Sequence, residues 1–158
     1  MNVLDVGASC PYLAKCLIDL GCNAMAIEAA PGAPQYAAAL SVPLLHCDFE
    51  EWTPPEELLG SFNLVTMIHV FEHIYKPADA FRKVRRLLTP DGALFIRMPD
   101  HRVRGIERDL TPGHYTIHPY IHTLTSILQL CAETGTFAVE EQWALEPGQR
   151  DLLLRPLP

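Results

Sequence analysis

Four short stretches of this chain carry residue types that do chemistry, and each belongs to or follows an apolar run. Asp5-Val6-Gly7-Ala8-Ser9-Cys10-Pro11 continues from Val3, Glu28 closes the run Asn23 to Ile27, Asp48-Phe49 follow Val42 to Leu45, and His69-Val70-Phe71-Glu72-His73 follow Phe62 to Ile68. A small-residue turn between strand and helix lets backbone N–H groups come close to a ligand. An acid about 20 residues further on is placed to accept hydrogen bonds from both hydroxyls of a ribose. A carboxylate beside an aromatic ring can bond an adenine amino group and cover the base. Taken in order, Gly7, Ala8, Ser9, Glu28, Asp48 and Phe49 describe a nucleoside site. Histidines near it supply candidate general bases at neutral pH: His73, then His101 and His114 in the polar stretch from Pro99 to His122.

His69-Val70-Phe71-Glu72-His73 also matches the HxxEH pattern of inverted zinc hydrolases. That chemistry needs both imidazoles on one helical face, with the glutamate activating a zinc-bound water. An apolar strand running into His69, and Pro77 opening a new helix, argue against one helix through the segment, so no metal ligand is assigned. The spacing of His114, His118 and His122 suits one helix face, but Pro119 interrupts it. The cysteines (Cys10, Cys16, Cys22, Cys47 and Cys131) are odd in number and form no CxxC pair, which reads as reduced thiols. Arg102, Arg104 and Arg108 alternate with Asp100, Glu107 and Asp109, a self-neutralising surface.

The elements that must position these residues alternate strand and helix. Strands are expected at Val3–Val6, Asn23–Ile27, Val42–Leu45, Phe62–Ile68 and Ala93–Met98, with Asp91-Gly92 as a turn before the last. Helices are expected from Pro11 to a cap at Gly21, over Pro34–Leu40, from Pro77 with a core face of Phe81, Val84 and Leu88, and around Leu124 to Cys131 with a cap at Gly135. Phe137–Trp143 and Asp151–Leu154 flank the turn Glu146-Pro147-Gly148, a hairpin pattern. The fold class is therefore α/β: a doubly wound, mostly parallel, seven-stranded Rossmann-like sheet with an antiparallel C-terminal hairpin at one edge. Ligands bind such sheets at the carboxyl ends of the strands, at the topological switch point.

With those residues in place, the sequence resembles the class I S-adenosylmethionine-dependent methyltransferases over nearly its whole length. VLDVGAS is similar to their first motif, with Asp5 as its acid and Gly7, Ala8 and Ser9 as its turn. Glu28 matches the ribose-binding acid, and Asp48 the acid beside the adenine. FNLVTMIHVFEHIYKPADAFRKVRRLLTPDGALFIRMP is similar to the fourth strand, following helix and fifth strand. The resemblance implies S-adenosylmethionine as cofactor, and a methyl passed to an oxygen or nitrogen of a small molecule. It places the backbone of His69 against the cofactor's methionine part, and Glu72 and His73 at the rim of the substrate pocket. One of His73, His101 or His114 takes the proton, since methyl transfer needs little beyond alignment and one deprotonation. Some members with a similar Glu-His pair bind a divalent ion, but with an acid where His69 stands. Ser9 and Pro11 stand where the family has its second and third glycines; Pro11 removes an N–H that a helix start leaves unpaired anyway. A dinucleotide site would want Gly-x-Gly-x-x-Gly, of which Gly7, Ser9 and Tyr12 supply only the first glycine. The alternative reading is a catalytically inactive nucleotide-binding or interaction module of the same fold.

Composition bounds the rest. The chain has 158 residues, a net charge of −7 and 49 % hydrophobic residues, which fits a single domain spanning 1–158 and excludes a disordered chain. The acidic balance argues against a nucleic-acid partner. No apolar run reaches the length of a membrane span, and the N-terminus lacks a signal-peptide pattern, so a cytoplasmic protein is expected. The cofactor strand begins at Met1, without the N-terminal helices usual in this family. The expectation is an open pocket, or a lid that is supplied by a homo-oligomer contact or a partner chain or is lost by truncation.

Overall fold

The computed structural model describes residues 1–100, 119–145 and 147–158. Seven strands form one sheet: β1 (Asn2–Val6), β2 (Asn23–Glu28), β3 (Leu44–His46), β4 (Phe62–Ile68), β5 (Leu88–Pro99), β6 (Phe137–Trp143) and β7 (Gln149–Pro156). Their order is β3-β2-β1-β4-β5-β7-β6. The pairs β1–β2, β1–β4, β2–β3 and β4–β5 are parallel, while β7 runs antiparallel to β5 and to β6. Sequential strands leave β1 in opposite directions, toward β2 and β3 on one side and β4 and β5 on the other. The switch point is thus the gap between the ends of β1 and β4.

Alternation along the strands sorts side chains onto two faces. Leu4, Val6 and Ile27 point to the larger core, which holds Phe71, Phe81, Val84, Leu87, Ile127 and Phe137. Val3, Ala24 and Ala26 point to a smaller core with Ala14 and Val42. Helices α1 (Tyr12–Asp19) and α2 (Ala33–Leu40) bury only alanines, which lets them lie close to the sheet. Helices α3 (Pro77–Leu87) and α4 (Leu124–Thr134) cover the opposite face. Thr123 and Ser126 form a reciprocal capping box that starts α4, and Gly135 ends it in the left-handed conformation. Among the described residues no helix is long and apolar enough to cross a membrane.

Four boundaries differ from the sequence expectation. Pro11 is the N-cap of α1 rather than part of its first turn. β3 begins at Leu44 because Val42 donates its N–H to Ala37, closing α2, and Pro43 has no N–H to offer a ladder. Asp91-Gly92 is not a turn: β5 runs through it, and the register shifts between the Phe62 and Leu64 pairings, a bulge. Leu88 opens β5 instead of ending the helix face, yet it remains buried. The C-terminal strands form the antiparallel hairpin expected at one edge of the sheet. Only β7 is antiparallel, and it lies inside the sheet, with β6 at the edge. The burial explains this arrangement, since Leu152 and Leu154 are fully buried and need neighbours on both sides, whereas Glu140, Glu141 and Gln142 of β6 are exposed.

The larger core turns on Phe81, fully buried, with the rings of Phe71 at 5.2 Å and Phe137 at 5.4 Å. Phe81→Ala is expected to lower the urea-unfolding free energy by about 3–5 kcal/mol, and Phe81→Leu by about 1.5 or less. A loss below about 1 kcal/mol for the alanine variant would contradict this packing.

Candidate functional site

The turn after β1 is held in an unusual conformation. Gly7 has φ +67°, and a Cβ built there would lie 2.4 Å from Cγ2 of Val70, so both the backbone angle and the neighbour require glycine. Ser9 also has positive φ, at 51°. Its N–H donates to Oε2 of Glu28 at 2.7 Å, and the N–H of Ala30 donates to Oε1 at 2.8 Å. One carboxylate therefore ties the turn after β1 to the turn after β2. A carboxylate has about four lone-pair sites, so Glu28 keeps acceptor capacity for two further hydroxyl groups.

These bonds correct the expected role of the turn. The N–H groups of Gly7 and Ala8 both point to the carbonyl of Ile27, at 2.8 and 3.4 Å, and that of Ser9 points to Glu28. All three are engaged within the protein. What the turn provides is close approach without a side chain.

An open cleft lies over this turn, bordered by Gly7, Glu28, Asp48, Phe49, Val70 and His73. The expected residues Gly7, Glu28, Asp48, Phe49 and His73 thus meet around one space at the ends of β1, β2, β3 and β4. Asp48 is exposed, and its Oδ1 accepts the N–H of Glu50 at 2.7 Å. Phe49 is only 6 % exposed and packs in the larger core. It forms wall, not a free cover for a base. A second depression meets the first at Gly7 and is lined by Asp5, Ala8, Ser9, Cys10 and Ile68. Asp5, buried at 4 % exposure, accepts the hydroxyl hydrogen of Thr66 at 2.6 Å. Burial pushes its carboxyl up to about 6, the Thr66 bond draws it back, and the Glu28 charge adds to the rise.

The HVFEH segment departs most from expectation. His69 follows β4 with φ 56° and donates its N–H to the Arg97 carbonyl at 2.9 Å. Phe71–His73 form a single 3-10 turn, so the helix that the zinc-hydrolase pattern needs is not formed. Among the described residues no three His, Cys, Asp or Glu side chains are placed to hold a metal ion. Ile68 lines the second depression and Val70 the first, on either side of His69. Its Nδ1 stands 3.3 Å from Oε1 of Glu72. Glu72 is buried at 2 % exposure, not at a rim, because the 3-10 turn carries it inward beside Phe71. His101 and His114 lie outside the described residues, as does His118. His122 is buried, with its ring 4.8 Å from that of Phe71.

Sequence reasoning missed Thr66, Val70 and Glu50. Thr66 was a legible signal, being the one hydroxyl inside an apolar strand, and it pairs in register with Asp5. Glu50 accepts the N–H groups of Tyr75 and Lys76 at 2.9 and 2.8 Å, tying the loop after β3 to the start of α3.

A β1 turn held by an acid at the end of β2, over a switch-point cleft, defines a class I methyltransferase domain. The family model described as "Methyltransferase domain" matches residues 1–142, and the chain belongs to that family. It is 30 % identical over 105 residues to a ubiquinone biosynthesis O-methyltransferase of Pseudomonas aeruginosa (strain UCBPP-PA14), covering 60 % of this chain and 43 % of that protein. It is 32 % identical over 99 residues to the protein of the same name from Xanthomonas oryzae pv. oryzae (strain PXO99A), covering 60 % and 41 %. The matched region thus spans less than half of either relative. A putative methyltransferase of Haloferax volcanii, solved with the Trm112 methyltransferase activator, superposes with a TM-score of 0.83 at 16 % identity, over 99 % of this chain and 83 % of that one. A S-adenosylmethionine-dependent methyltransferase from Aquifex aeolicus gives 0.73 at 18 %, over 99 % and 82 %. These two likenesses show the fold.

Two outcomes follow from the geometry. Gly7→Ala should cost roughly 2–4 kcal/mol of stability in the parent but only about 1 kcal/mol in a Val70→Ala background, where the backbone strain remains and the clash is gone. Equal costs in both backgrounds would show that Val70 does not limit the turn. Asp5 concerns pH. Its folded pKa is raised, so its contribution to stability is full below about pH 4 and is lost as pH rises through about 6. Asp5→Asn keeps an acceptor for Thr66 and removes the titration. Relative to this variant, the parent should lose about 1–3 kcal/mol between about pH 4 and pH 7.5 in urea unfolding. A difference that stays constant with pH would place Asp5 in water.

Proposed function

We propose that this chain transfers the methyl group of S-adenosylmethionine to an oxygen atom of a small molecule. The observation that carries the reading is the meeting of Gly7, Glu28 and Asp48 around one cleft at the switch point. The match to O-methyltransferases supports oxygen over nitrogen as acceptor. In this reading the spare lone pairs of Glu28 accept the ribose hydroxyls. Asp48 accepts from the adenine amino group, and Phe49 and Val70 pack against the base. Gly7 and Ala8 let the backbone approach, and the Ser9 hydroxyl is offered to the methionyl carboxylate beside Asp5.

When bound, the cofactor supplies an electrophilic methyl on a sulfonium; the acceptor oxygen displaces sulfur in line as the new C–O bond forms. The protein's work is alignment and one proton transfer. The acceptor hydroxyl's proton passes to an imidazole. We assign this role to the set His73, His101 and His114, of which His73 borders the cleft. The described residues leave Asp48 exposed and Glu28 only half-buried, which supports a covering contact from a partner chain or a second copy.

Calorimetric titration tests the reading. S-adenosylhomocysteine should bind the parent, and Glu28→Ala should raise Kd roughly 10- to 100-fold, because charge-assisted bonds and the tether of the β1 turn are lost together. No binding to the parent at millimolar ligand, or an unchanged Kd in the variant, would overturn it and favour an inactive module of the same fold.

A further inference from the structure

Lys83, on α3, is the centre of a contact that nothing in the site description requires. Its Nζ donates to the carbonyls of Phe49 at 2.6 Å, Glu50 at 2.8 Å and Trp52 at 2.7 Å. An ammonium has three N–H bonds, and all three are used on the loop that follows β3. The same nitrogen stands 5.0 Å from the centre of the Phe49 ring. Desolvation pulls this ammonium's pKa down, while Asp48, Glu50 and Glu51 oppose the shift. A chain of bonds leads from it to the cleft: the Glu50 carbonyl accepts from Lys83, and the Glu50 N–H donates to Oδ1 of Asp48 at 2.7 Å. Glu50 then fastens the loop a second time through Tyr75 and Lys76. The loop bearing Asp48 is therefore tied at two points, by Lys83 of α3 and by the residues leading into that helix, while Phe49 packs in the larger core.

We infer that Lys83 is a positioning residue that makes the cleft selective for a 6-amino purine, by gathering the carbonyls of Phe49, Glu50 and Trp52 and so setting where the Asp48 carboxylate stands. This rests on the reading that Asp48 accepts from the adenine amino group. Lysine suits the role because three carbonyls converge on one point; the planar fork of an arginine cannot aim three N–H groups at them. Loss of the ammonium leaves three carbonyls without a donor and frees the Glu50 backbone that orients Asp48. Adenine and hypoxanthine differ at position 6, where an amino donor is replaced by a carbonyl, so their discrimination reports the position of Asp48 directly.

The experiment measures Kd by calorimetry for S-adenosylhomocysteine and for its hypoxanthine analogue, on the parent, Lys83→Met, Lys83→Arg and Glu50→Gln, with Lys15→Met as a surface control. The parent and the control should prefer the adenine ligand by about tenfold or more. Lys83→Met should bring that ratio close to one, with Lys83→Arg and Glu50→Gln between. A variant that is merely less stable would weaken both ligands equally and keep the ratio, and that result would overturn the inference. Should Lys83→Met fail to fold, Lys83→Arg and Glu50→Gln decide by the same ratio. A parent that binds the adenine ligand without preferring it would also overturn the inference and leave the cofactor assignment standing. A parent that binds neither ligand would overturn the functional reading and this inference together.

Discussion

The carboxylate of Glu28 is the constraint on which the site depends. It stands at the end of β2 and accepts the N–H groups of Ser9 and Ala30, so the turns that follow β1 and β2 are one unit. Bonds to a charged acceptor contribute about 1.5–3 kcal/mol each. That is enough to offset the roughly 1–2 kcal/mol needed to hold a non-glycine residue in the left-handed region. The positive φ of Ser9 is sustained in this way. The missing second glycine of the motif is thus compensated by a hydrogen bond from the same turn. An acid read from the sequence as a ligand for hydroxyls is, in the structure, a clasp between two turns.

The rest of the fold delivers the pieces to this clasp. Alanines on one face bring α1 and α2 close to the sheet, while the aromatic and branched residues on the other carry α3 and α4. Parallel pairing puts the ends of β1, β2 and β4 side by side, so Gly7, Glu28 and Val70 arrive together. The left-handed turn at His69 then directs Val70 over Gly7 and buries Glu72 beside the core. Asp5 is held just behind the turn by Thr66, in a place where an ionised carboxylate is disfavoured until the pH passes about 6.

Much of this was legible in the residues. Phe62–Ile68 and Phe137–Trp143 have the expected ends because an apolar or alternating run is bounded by turn residues on each side. That Gly7, Glu28, Asp48 and Phe49 border one cleft was legible because strand ends in a parallel sheet lie side by side. What was not legible depends on partners distant in the chain. The insertion of β7 between β5 and β6 follows from the two-sided burial of Leu152 and Leu154. Engagement of the Gly7, Ala8 and Ser9 N–H groups needs Ile27 and Glu28 in place. The grip of Lys83 on three carbonyls spans more than thirty residues of sequence. The left-handed backbone at His69, which sets its neighbours Ile68 and Val70 at the two depressions, is likewise not marked by residue type.

The account stands most directly on where the ribose lies. A crystal structure of the chain with S-adenosylhomocysteine is expected to show both ribose hydroxyls within about 3 Å of the Glu28 carboxylate, with the bonds from Ser9 and Ala30 intact. A ribose bound elsewhere, or a ligand that binds only after those two bonds break, would contradict it.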